Sequence, residues 1–183
     1  MGISYPCGRR LCDVVKLPLL RKLSPKRISQ LWQQYYESTP YINAKIITSS
    51  DYVKIRANSR CKEFVIPVPK GPGNYFNLFL QFHGKSVLYT SVHSVNTRGI
   101  TNSVPLMVLT FYDELEESHG IILLRSDVLG EITKEESMSV LENTLKFYID
   151  FNLFQWVNTF NSKPKEFNYE DYIKQNNHIF NIF

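Results

Sequence analysis

The spacing of apolar residues predicts helices in the first part of the chain. Ser24 followed by Pro25 marks a helix start, because serine caps free N–H groups and proline lacks the N–H that would be unpaired there. The apolar stripe of this helix falls at i, i+3, i+4 and i+7 and consists of Ile28, Leu31, Trp32 and Tyr35. Before it, residues 11–20 predict a shorter helix that Pro18 interrupts or ends.

Strand-like patterns dominate the middle of the chain. Strands are predicted at residues 44–48 and 64–68, with a helix that Ser50 opens between them. Residues 75–82 and 87–92 flank a turn in which Gly84 takes the first position of a two-residue hairpin. Pairing His83 with Ser86 places Phe82, Leu80, Leu78 and Phe76 opposite Val87, Tyr89, Ser91 and His93. We expect this largely apolar face to pack on helices and the reverse face to be partly exposed.

The last part of the chain mixes strands and helices. Residues 106–112 and 121–124 are apolar on both faces, which predicts central strands. The acidic stretch 113–117 between them predicts a solvated turn. Thr133 and Glu136 form a capping box. The stripe of the helix that it opens consists of Met138, Leu141, Leu145 and Tyr148, widened by Val140 and Phe147. Residues 151–160 fit either strand or helix, and 169–175 predict a short surface helix. The fold class predicted is α+β, a single domain with a largely antiparallel or mixed β-sheet packed with helices and a helical N-terminal segment.

Composition narrows the class of protein. The chain has 183 residues, of which 43% are hydrophobic and 21% charged, as in ordinary globular domains. No apolar run approaches the roughly 20 residues needed to span a bilayer, so we expect a soluble protein without membrane insertion. Three cysteines without a C-x-x-C pair indicate a reducing compartment and not a disulfide scaffold.

The positive charge is concentrated in the first part of the chain. Residues 1–70 carry 13 Lys and Arg against 4 Asp and Glu, whereas residues 71–183 carry 8 against 13. The densest clusters are Arg9-Arg10, Arg21-Lys22 and Lys26-Arg27. No run of five basic residues occurs, so we expect no nucleic-acid partner. A binder of nucleic acid or acidic lipid that uses the basic N-terminal half remains the alternative function.

Catalytic motifs are absent from the sequence. It contains no G-x-S-x-G, H-E-x-x-H, Walker A or G-x-G-x-x-G pattern, and Pro72 removes a backbone donor from the Gly71-Pro72-Gly73 turn. On the predicted hairpin, His83 and His93 lie on opposite faces and too far apart to share one metal ion. Adjacent acids in the stretch 113–117 lack the distinct environments that paired catalytic carboxylates need. We expect no enzymatic activity, no cofactor and no metal.

One connection stands out as a candidate for partner binding. Residues 94–103 join two predicted strands and are long for a connection within a sheet. Arg98 lies between Thr97 and Gly99, and a fixed guanidinium on such a loop could clamp a carboxylate or phosphate of a partner. A mobile loop without a function is an equal alternative.

A set of short stretches then identifies a family by order and spacing. They are VKLPLL (15–20) and ISQLWQQY (28–35), FVIPVP (64–69), QF (81–82) with YTS (89–91), TRG (97–99), FYDEL (111–115), GIILL (120–124), and TFN (159–161) with KPKEF (163–167). From about Leu11 to Tyr172 the chain resembles the mitochondrial ATP synthase catalytic-sector (F1) assembly factors that chaperone the beta subunit.

This resemblance implies a function and a place in the cell. It implies a mitochondrial matrix protein that binds the unassembled beta subunit and prevents its aggregation until the alpha subunit replaces it, without enzymatic activity or cofactor. We expect a poorly defined leader at 1–10 and a single chaperone domain at 11–183, made of an N-terminal helical segment (11–38) and an α+β core (44–183). A targeting segment is not clearly visible, so the location rests on the resemblance. We expect the free protein to be a monomer.

Two surfaces are candidates for the contact with the beta subunit. The first is the reverse face of the hairpin, with Phe79, Gln81 and Leu88, together with Thr97, Arg98 and Gly99 at its end. The second is the basic face of the helix after Ser24, with Lys26 and Arg27.

Overall fold

A six-stranded sheet runs through the computed structural model, which describes residues 10–183. The strands are β1 (Ile42–Thr48), β2 (Glu63–Pro69), β3 (Tyr75–His83), β4 (Ser86–Ser91), β5 (Met107–Tyr112) and β6 (Ile121–Val128). Their order across the sheet is β1-β6-β5-β4-β3-β2, and each neighbouring pair is antiparallel. β1 and β2 are therefore the two edges of the sheet.

Helices lie on both sides of this sheet. They are α1 (Leu17–Leu20), α2 (Pro25–Glu37), α3 (Ser49–Asn58), α4 (Val92–Arg98), α5 (Glu116–His119), α6 (Lys134–Ile149), α7 (Phe151–Ser162), α8 (Tyr169–Gln175) and α9 (Asn177–Phe180). Short 3₁₀ turns occur at Leu11–Asp13 and Ile100–Asn102. The architecture confirms the predicted α+β class, with an antiparallel sheet, and it assigns the ambiguous stretch 151–160 to the helix α7.

The larger core lies between the sheet and helices α3 and α6–α9. Leu78 and Leu80 of β3 are fully buried against this layer. The ring of Phe64 packs 5.3 Å from both Phe147 and Tyr172, measured between ring centroids. Tyr172 also donates a hydrogen bond to the backbone carbonyl of Val65 at 2.9 Å. The short helix predicted at 169–175 is confirmed as α8, with Glu170, Asp171 and Lys174 exposed on its outer face. Tyr172 points inward and anchors this helix in the core.

A second, smaller core lies on the opposite face of the sheet. Here Ile28 and Trp32 of α2 are buried with Leu123 of β6. The indole Nε1 of Trp32 donates to the carbonyl of Leu124 at 2.9 Å, which fixes α2 to the sheet.

The buried stripe of α2 differs from the predicted one at its last position. Tyr36 is 3% exposed and lies under the guanidinium of Arg125, 5.4 Å from the ring centroid. Tyr35 is 67% exposed. The assignment of Tyr35 to the apolar stripe is wrong because the aromatic side chain that meets β6 is the next one along the helix.

The hairpin register is confirmed for most of its length. His83 pairs with Ser86, Phe82 with Val87, Leu80 with Tyr89 and Leu78 with Ser91. Gly84 has a φ of 57°, which a glycine adopts without strain. The predicted pair of Phe76 and His93 does not form, because β4 ends at Ser91, whose hydroxyl caps the start of α4.

Several helix ends differ from their predicted positions. The predicted helix at 11–20 is a 3₁₀ turn followed by α1, and Pro18 lies in the first turn of α1 and does not interrupt it. Thr48, not Ser50, caps α3. The capping box of Thr133 and Glu136 is confirmed at the start of α6. Part of the acidic stretch 113–117 belongs to α5, so it is not simply a turn.

The predicted leader at 1–10 lies outside the described residues except for Arg10, as does Arg9 of the first basic cluster. Within residues 10–183, no helix has the length and apolar character needed to cross a bilayer.

Candidate functional site

The segment that carries Arg98 is helical. Residues 92–98 form α4 and residues 100–102 a 3₁₀ turn, so the prediction of a ten-residue loop is wrong. The Thr97 hydroxyl donates to the carbonyl of His93 at 2.9 Å, and the Gly99 N–H donates to the carbonyl of Val95 at 2.9 Å. These bonds fix the backbone around Arg98. The Arg98 side chain itself is exposed and makes no ion pair or hydrogen bond within residues 10–183, so it is free to meet a partner.

The reverse face of the hairpin is buried, contrary to the prediction. Phe79 is 9% exposed, Gln81 5% and Leu88 3%. Helix α4 folds back onto β3 and β4, and its residues Val92 and Val95 pack against the core. The structure therefore separates the two halves of the first candidate surface: Arg98 is accessible, whereas the hairpin side chains are not.

The second candidate surface is exposed. Both Lys26 and Arg27 project from the first turn of α2 into solvent. The backbone N–H of Arg27 donates to the Ser24 hydroxyl at 3.3 Å, and its guanidinium reaches the side-chain oxygen of Gln30 at 3.5 Å. This basic patch lies on the α2 side of the sheet, over β1 and β6, whereas Arg98 lies beside β3 and β4. The structure thus places the two cationic candidates on separate parts of the surface.

A third surface emerges only from the fold. Two adjoining clefts run along the open edge of β1, one of about 860 Å³ against residues 45–48 and one of about 620 Å³ against residues 42–44. Gln33 of α2 lines both. We call this continuous feature the β1 groove. Its walls are α2 on one side and α6 with the start of α7 on the other.

The two walls differ in chemistry. The α2 wall is polar and uncharged along most of its length, with Ser29, Gln30, Gln33 and Gln34. The opposite wall is apolar where Met138, Leu145, Ile149 and Leu153 face the cleft.

One end of the groove is closed by a lysine. The Lys134 ammonium donates to the carbonyls of Tyr36, Glu37 and Thr39 at 3.0, 2.8 and 2.7 Å, which joins the start of α6 to the end of α2. Beside it, the side-chain amide of Asn43 donates to the carbonyl of Lys134 at 2.7 Å. These bonds hold both walls and the floor in a fixed relation.

Most charged groups of the groove already have partners inside the protein. Lys45 pairs with Glu142 at 2.8 Å. Asp150 caps the first N–H groups of α7, and Asp51 accepts from the hydroxyl of Thr48 at 3.0 Å. An occupant of the groove therefore needs no charge of its own to satisfy these groups.

Among the described residues, the remaining reactive side chains form no metal-binding cluster, and the buried thiol is not activated. Within residues 10–183 no cluster of three or more His, Cys, Asp or Glu could hold a metal ion. Burial raises the pKa of the Cys61 thiol, so this cysteine is not an activated nucleophile, and Cys12 is exposed. Burial likewise raises the pKa of Tyr52 and of Tyr112 to about 12. These shifts have the ordinary cause of aromatic hydroxyls near a core.

Sequence reasoning missed the β1 groove for a physical reason. The edge position of β1 depends on its pairing with β6, which lies far away in the sequence. The opposite edge did carry a local signal, since Pro67 and Pro69 fall within β2 and proline in a sheet favours an edge strand.

Comparison with known proteins adds independent information. The chain is 27% identical over 168 residues to a zebrafish (Danio rerio) protein named ATP synthase mitochondrial F1 complex assembly factor 1, with 90% of this chain and 55% of that protein covered. Proteins of the same name from mouse (Mus musculus) and human (Homo sapiens) are 26% and 25% identical over 176 residues, covering 94% of this chain and 53% of each relative. The chain thus spans about half the length of the curated relatives that it matches.

A family comparison covers nearly the whole chain. The sequence profile described as ATP11 protein matches residues 5–173, which include every strand of the sheet and all helices from α1 to α7. This match, together with relatives that share one name and align along nine tenths of the chain, agrees with the resemblance seen in the sequence. The chain belongs to the ATP11 protein family.

Proposed function

We propose that this chain is an assembly chaperone that binds the unassembled beta subunit of mitochondrial ATP synthase and prevents its aggregation until the alpha subunit replaces it. The observation that carries the proposal is the family match across residues 5–173, with relatives named as F1 complex assembly factors. The same relatives are named as mitochondrial, and the matrix is the compartment that we propose, because the catalytic sector would be assembled there.

The physical task explains why no catalytic centre is needed. An unassembled subunit exposes a surface that its neighbour should cover, and large exposed apolar patches lead to aggregation. A chaperone has to cover this surface and then leave. An interface of about 800 Å² per partner with few strong contacts allows the alpha subunit to displace it by competition. We therefore propose a non-enzymatic cycle without a cofactor.

Accessible cationic side chains support a contact that forms quickly and remains reversible. Arg98, Lys26 and Arg27 are all exposed. Exposed charges at the rim of an interface raise the association rate more than they raise the affinity. We propose these residues as rim contacts with acidic groups of the beta subunit.

The test is an aggregation assay with isolated beta subunit. Light scattering of the warmed subunit should fall when the chain is added in equimolar amount, and the alpha subunit should then release the chain from the complex. An unrelated aggregating enzyme serves as the control for general chaperone activity and should not be protected. The proposal fails if the beta subunit aggregates equally fast with and without the chain.

A salt titration separates this proposal from binding to nucleic acid or acidic lipid. Binding of a polyanion through the basic patch would weaken steeply as salt rises, because it depends on counterion release. The affinity for the beta subunit should fall only weakly as salt rises, because the exposed charges act mainly on the association rate.

A further inference from the structure

The outward-facing backbone groups of β1 can be identified from the ladder that joins it to β6. The Val128 N–H donates to the carbonyl of Tyr41 at 2.8 Å, and the Ser49 N–H donates to the carbonyl of Gly120 at 2.9 Å. These two bonds lie at the two ends of a continuous register. In an antiparallel ladder, hydrogen-bonded and non-hydrogen-bonded pairs alternate. The odd-numbered residues of β1 therefore bond to β6, and Ile42, Ala44 and Ile46 direct their N–H and C=O groups away from the sheet.

These outward groups have no partner in the part of the chain that the structure describes. No backbone or side-chain hydrogen bond from residues 10–183 reaches the N–H or C=O of Ile42, Ala44 or Ile46 on the open side. They line the floor of the β1 groove, which leaves room beside them. An open edge with free donors and acceptors is a template for a further strand.

At the opposite edge of the sheet, the outward backbone groups of β2 are not available to a further strand. At the two ends of the β2–β3 ladder, the Phe82 N–H donates to the carbonyl of Lys62 and the Lys70 N–H donates to the carbonyl of Asn74. The even-numbered residues of β2 therefore bond to β3, and the odd-numbered residues direct their backbone N–H and C=O groups away from the sheet. Two of these outward positions are prolines, which have no N–H to offer.

The remaining outward groups of β2 are largely satisfied by side chains. Asn161 accepts from the N–H of Glu63 at 3.2 Å and donates to its carbonyl at 2.6 Å. The hydroxyl of Tyr172 donates to the carbonyl of Val65 at 2.9 Å. Proline and side-chain caps block the pairing of a further strand at β2. The described residues provide no equivalent block at β1.

We propose that the β1 groove binds an extended segment of the client subunit, which adds to the sheet as a strand beside β1. This inference rests on the proposed function and names the site and the mode of binding. The backbone of the segment bonds to Ile42, Ala44 and Ile46, as in other peptides that extend a sheet. Its side chains alternate between the glutamine-rich wall of α2 and the apolar wall of α6 and α7. Because most charges of the groove, such as those of Lys45 and Glu142, are already paired, the segment is mainly uncharged, with apolar residues at every second position.

Strand addition also suits a chaperone that must release its client. Backbone bonds are made by any extended sequence, so their contribution to affinity does not depend on a close fit of many side chains. After the loss of hydrogen bonds to water, each backbone hydrogen bond contributes only about 0.5–1.5 kcal/mol to the free energy of binding. A neighbouring subunit that competes for the same segment can therefore displace it.

The decisive variant is Ala44→Pro. Proline removes the outward N–H of residue 44 and costs no bond to β6, because that N–H does not belong to the ladder. Ala44→Val is the matched control, since it adds similar bulk at the same position and keeps the N–H. We expect Ala44→Pro to bind isolated beta subunit at least tenfold more weakly than the wild type and Ala44→Val to bind as the wild type. Circular dichroism of both variants verifies the fold.

Amide hydrogen exchange of the wild-type protein tests the same idea without a mutation. Beta subunit should slow exchange at Ile42, Ala44 and Ile46, while Asn43, Lys45 and Ile47 are already protected by β6 and should change little. The inference is overturned if the wild type binds beta subunit while these amides exchange unchanged and Ala44→Pro retains full affinity; the chaperone function would then stand. Absence of any binding by the wild type overturns the proposed function itself. A wild-type dimer that Ala44→Pro converts to a monomer would assign the groove to a second copy of this chain and overturn the client as its occupant.

Discussion

The side chain of Asn161 forms hydrogen bonds with both the N–H and the C=O of Glu63 at the edge of the sheet. Its side-chain oxygen accepts from the Glu63 N–H at 3.2 Å and its amide donates to the Glu63 carbonyl at 2.6 Å, so a helix side chain takes the place of a neighbouring strand. The same amide also donates to the carbonyl of Val157 within α7, which holds the side chain in this position. One asparagine thus connects α7 to β2 and closes the edge to other chains.

Asn161→Ala should therefore destabilise the protein. The substitution leaves the half-buried backbone groups of Glu63 without partners, which costs about 1–3 kcal/mol of unfolding free energy. Asn152→Ala is the control, because Asn152 is exposed on the same helix and gains the same helix propensity from alanine. Urea unfolding of both variants measures the difference. Equal unfolding free energies for the two variants would show that the hydrogen bonds between Asn161 and Glu63 contribute nothing to stability.

Local signals account for the parts of the fold that the sequence predicts well. The hairpin register follows from Gly84, because a two-residue turn determines every pair on either side of it. The starts of α2 and α6 follow from Ser24 with Pro25 and from the box of Thr133 and Glu136, whose side chains bond to backbone groups a few residues away.

Two features that the sequence does not predict, the burial of Tyr36 and the β1 groove, depend on contacts between distant residues, whereas the helix α4 does not. Tyr36 replaces Tyr35 in the core because Arg125 and β6 lie over it, and neither is near in sequence. The helical form of residues 92–98 had a local signal in Ser91, which caps α4 by accepting from the Ser94 N–H at 3.0 Å. The β1 groove had none, since its walls come from α2 and α6 and its floor becomes an edge only through the order of strands. For the candidate site, the exposed cations were visible in the sequence, whereas the groove required the fold.

Lys134→Met should destabilise the protein by loosening α2. The ammonium group of Lys134 bonds to three carbonyls at the end of α2, where the helix dipole favours a positive charge. We expect a loss of about 1–2 kcal/mol in unfolding free energy, since charge-assisted bonds are stronger than neutral ones. Because the same lysine closes one end of the β1 groove, client binding should weaken as well.

The control for this variant is Lys165→Met. Lys165 is exposed and has no hydrogen bond or ion pair with any residue from 10 to 183. Its replacement should change the unfolding free energy by less than about 0.5 kcal/mol, as at most surface positions. If Lys134→Met were as stable as Lys165→Met, the contact with α2 would have no energetic role.

Charge reversal on α2 should change the rate of client binding more than its strength. In the variant with Lys26→Glu and Arg27→Glu together, the exposed positive patch becomes negative. We expect slower association with beta subunit at low salt and a smaller effect at high salt, because steering by exposed charge is screened. Stopped-flow or surface-plasmon measurements at two salt concentrations give the rates. An association rate that does not change at low salt would remove this patch from the encounter with the client.

Arg98→Ala tests the other cationic candidate separately. The Arg98 side chain is exposed and has no intramolecular partner within the described residues, so its removal should leave the unfolding free energy within about 0.5 kcal/mol of the wild type. Affinity for beta subunit should fall if the guanidinium contacts an acidic group of the client. Arg98 lies on α4, beside β3 and β4, whereas the basic patch of Lys26 and Arg27 lies on α2. The changes in binding free energy caused by Arg98→Ala and by the charge reversal on α2 should therefore add. Unchanged affinity of Arg98→Ala would exclude Arg98 from the interface.

The buried hydroxyl of Tyr52 makes stability depend on alkaline pH. Its ring stacks on Phe111 at 5.6 Å, and its hydroxyl lies 3.4 Å from a carboxylate oxygen of Asp113. Burial, followed by the negative charge of Asp113, raises the pKa of Tyr52 from 10.0 to about 12. The neutral hydroxyl is therefore favoured in the folded state. The stability associated with it is complete below pH 10 and is lost as the pH rises through 12.

Tyr52→Phe removes this titrating group and should flatten the alkaline decline of stability. A rise of about two pKa units corresponds to a few kcal/mol between the two protonation states, so the effect is measurable. Urea unfolding from pH 8 to pH 11.5 should show that the wild type loses its advantage over Tyr52→Phe above pH 10. The exposed Tyr35 gives the control variant Tyr35→Phe, whose curve should run parallel to that of the wild type. If the wild type and Tyr52→Phe kept a constant difference across this range, Tyr52 would not be the group whose ionisation opposes folding.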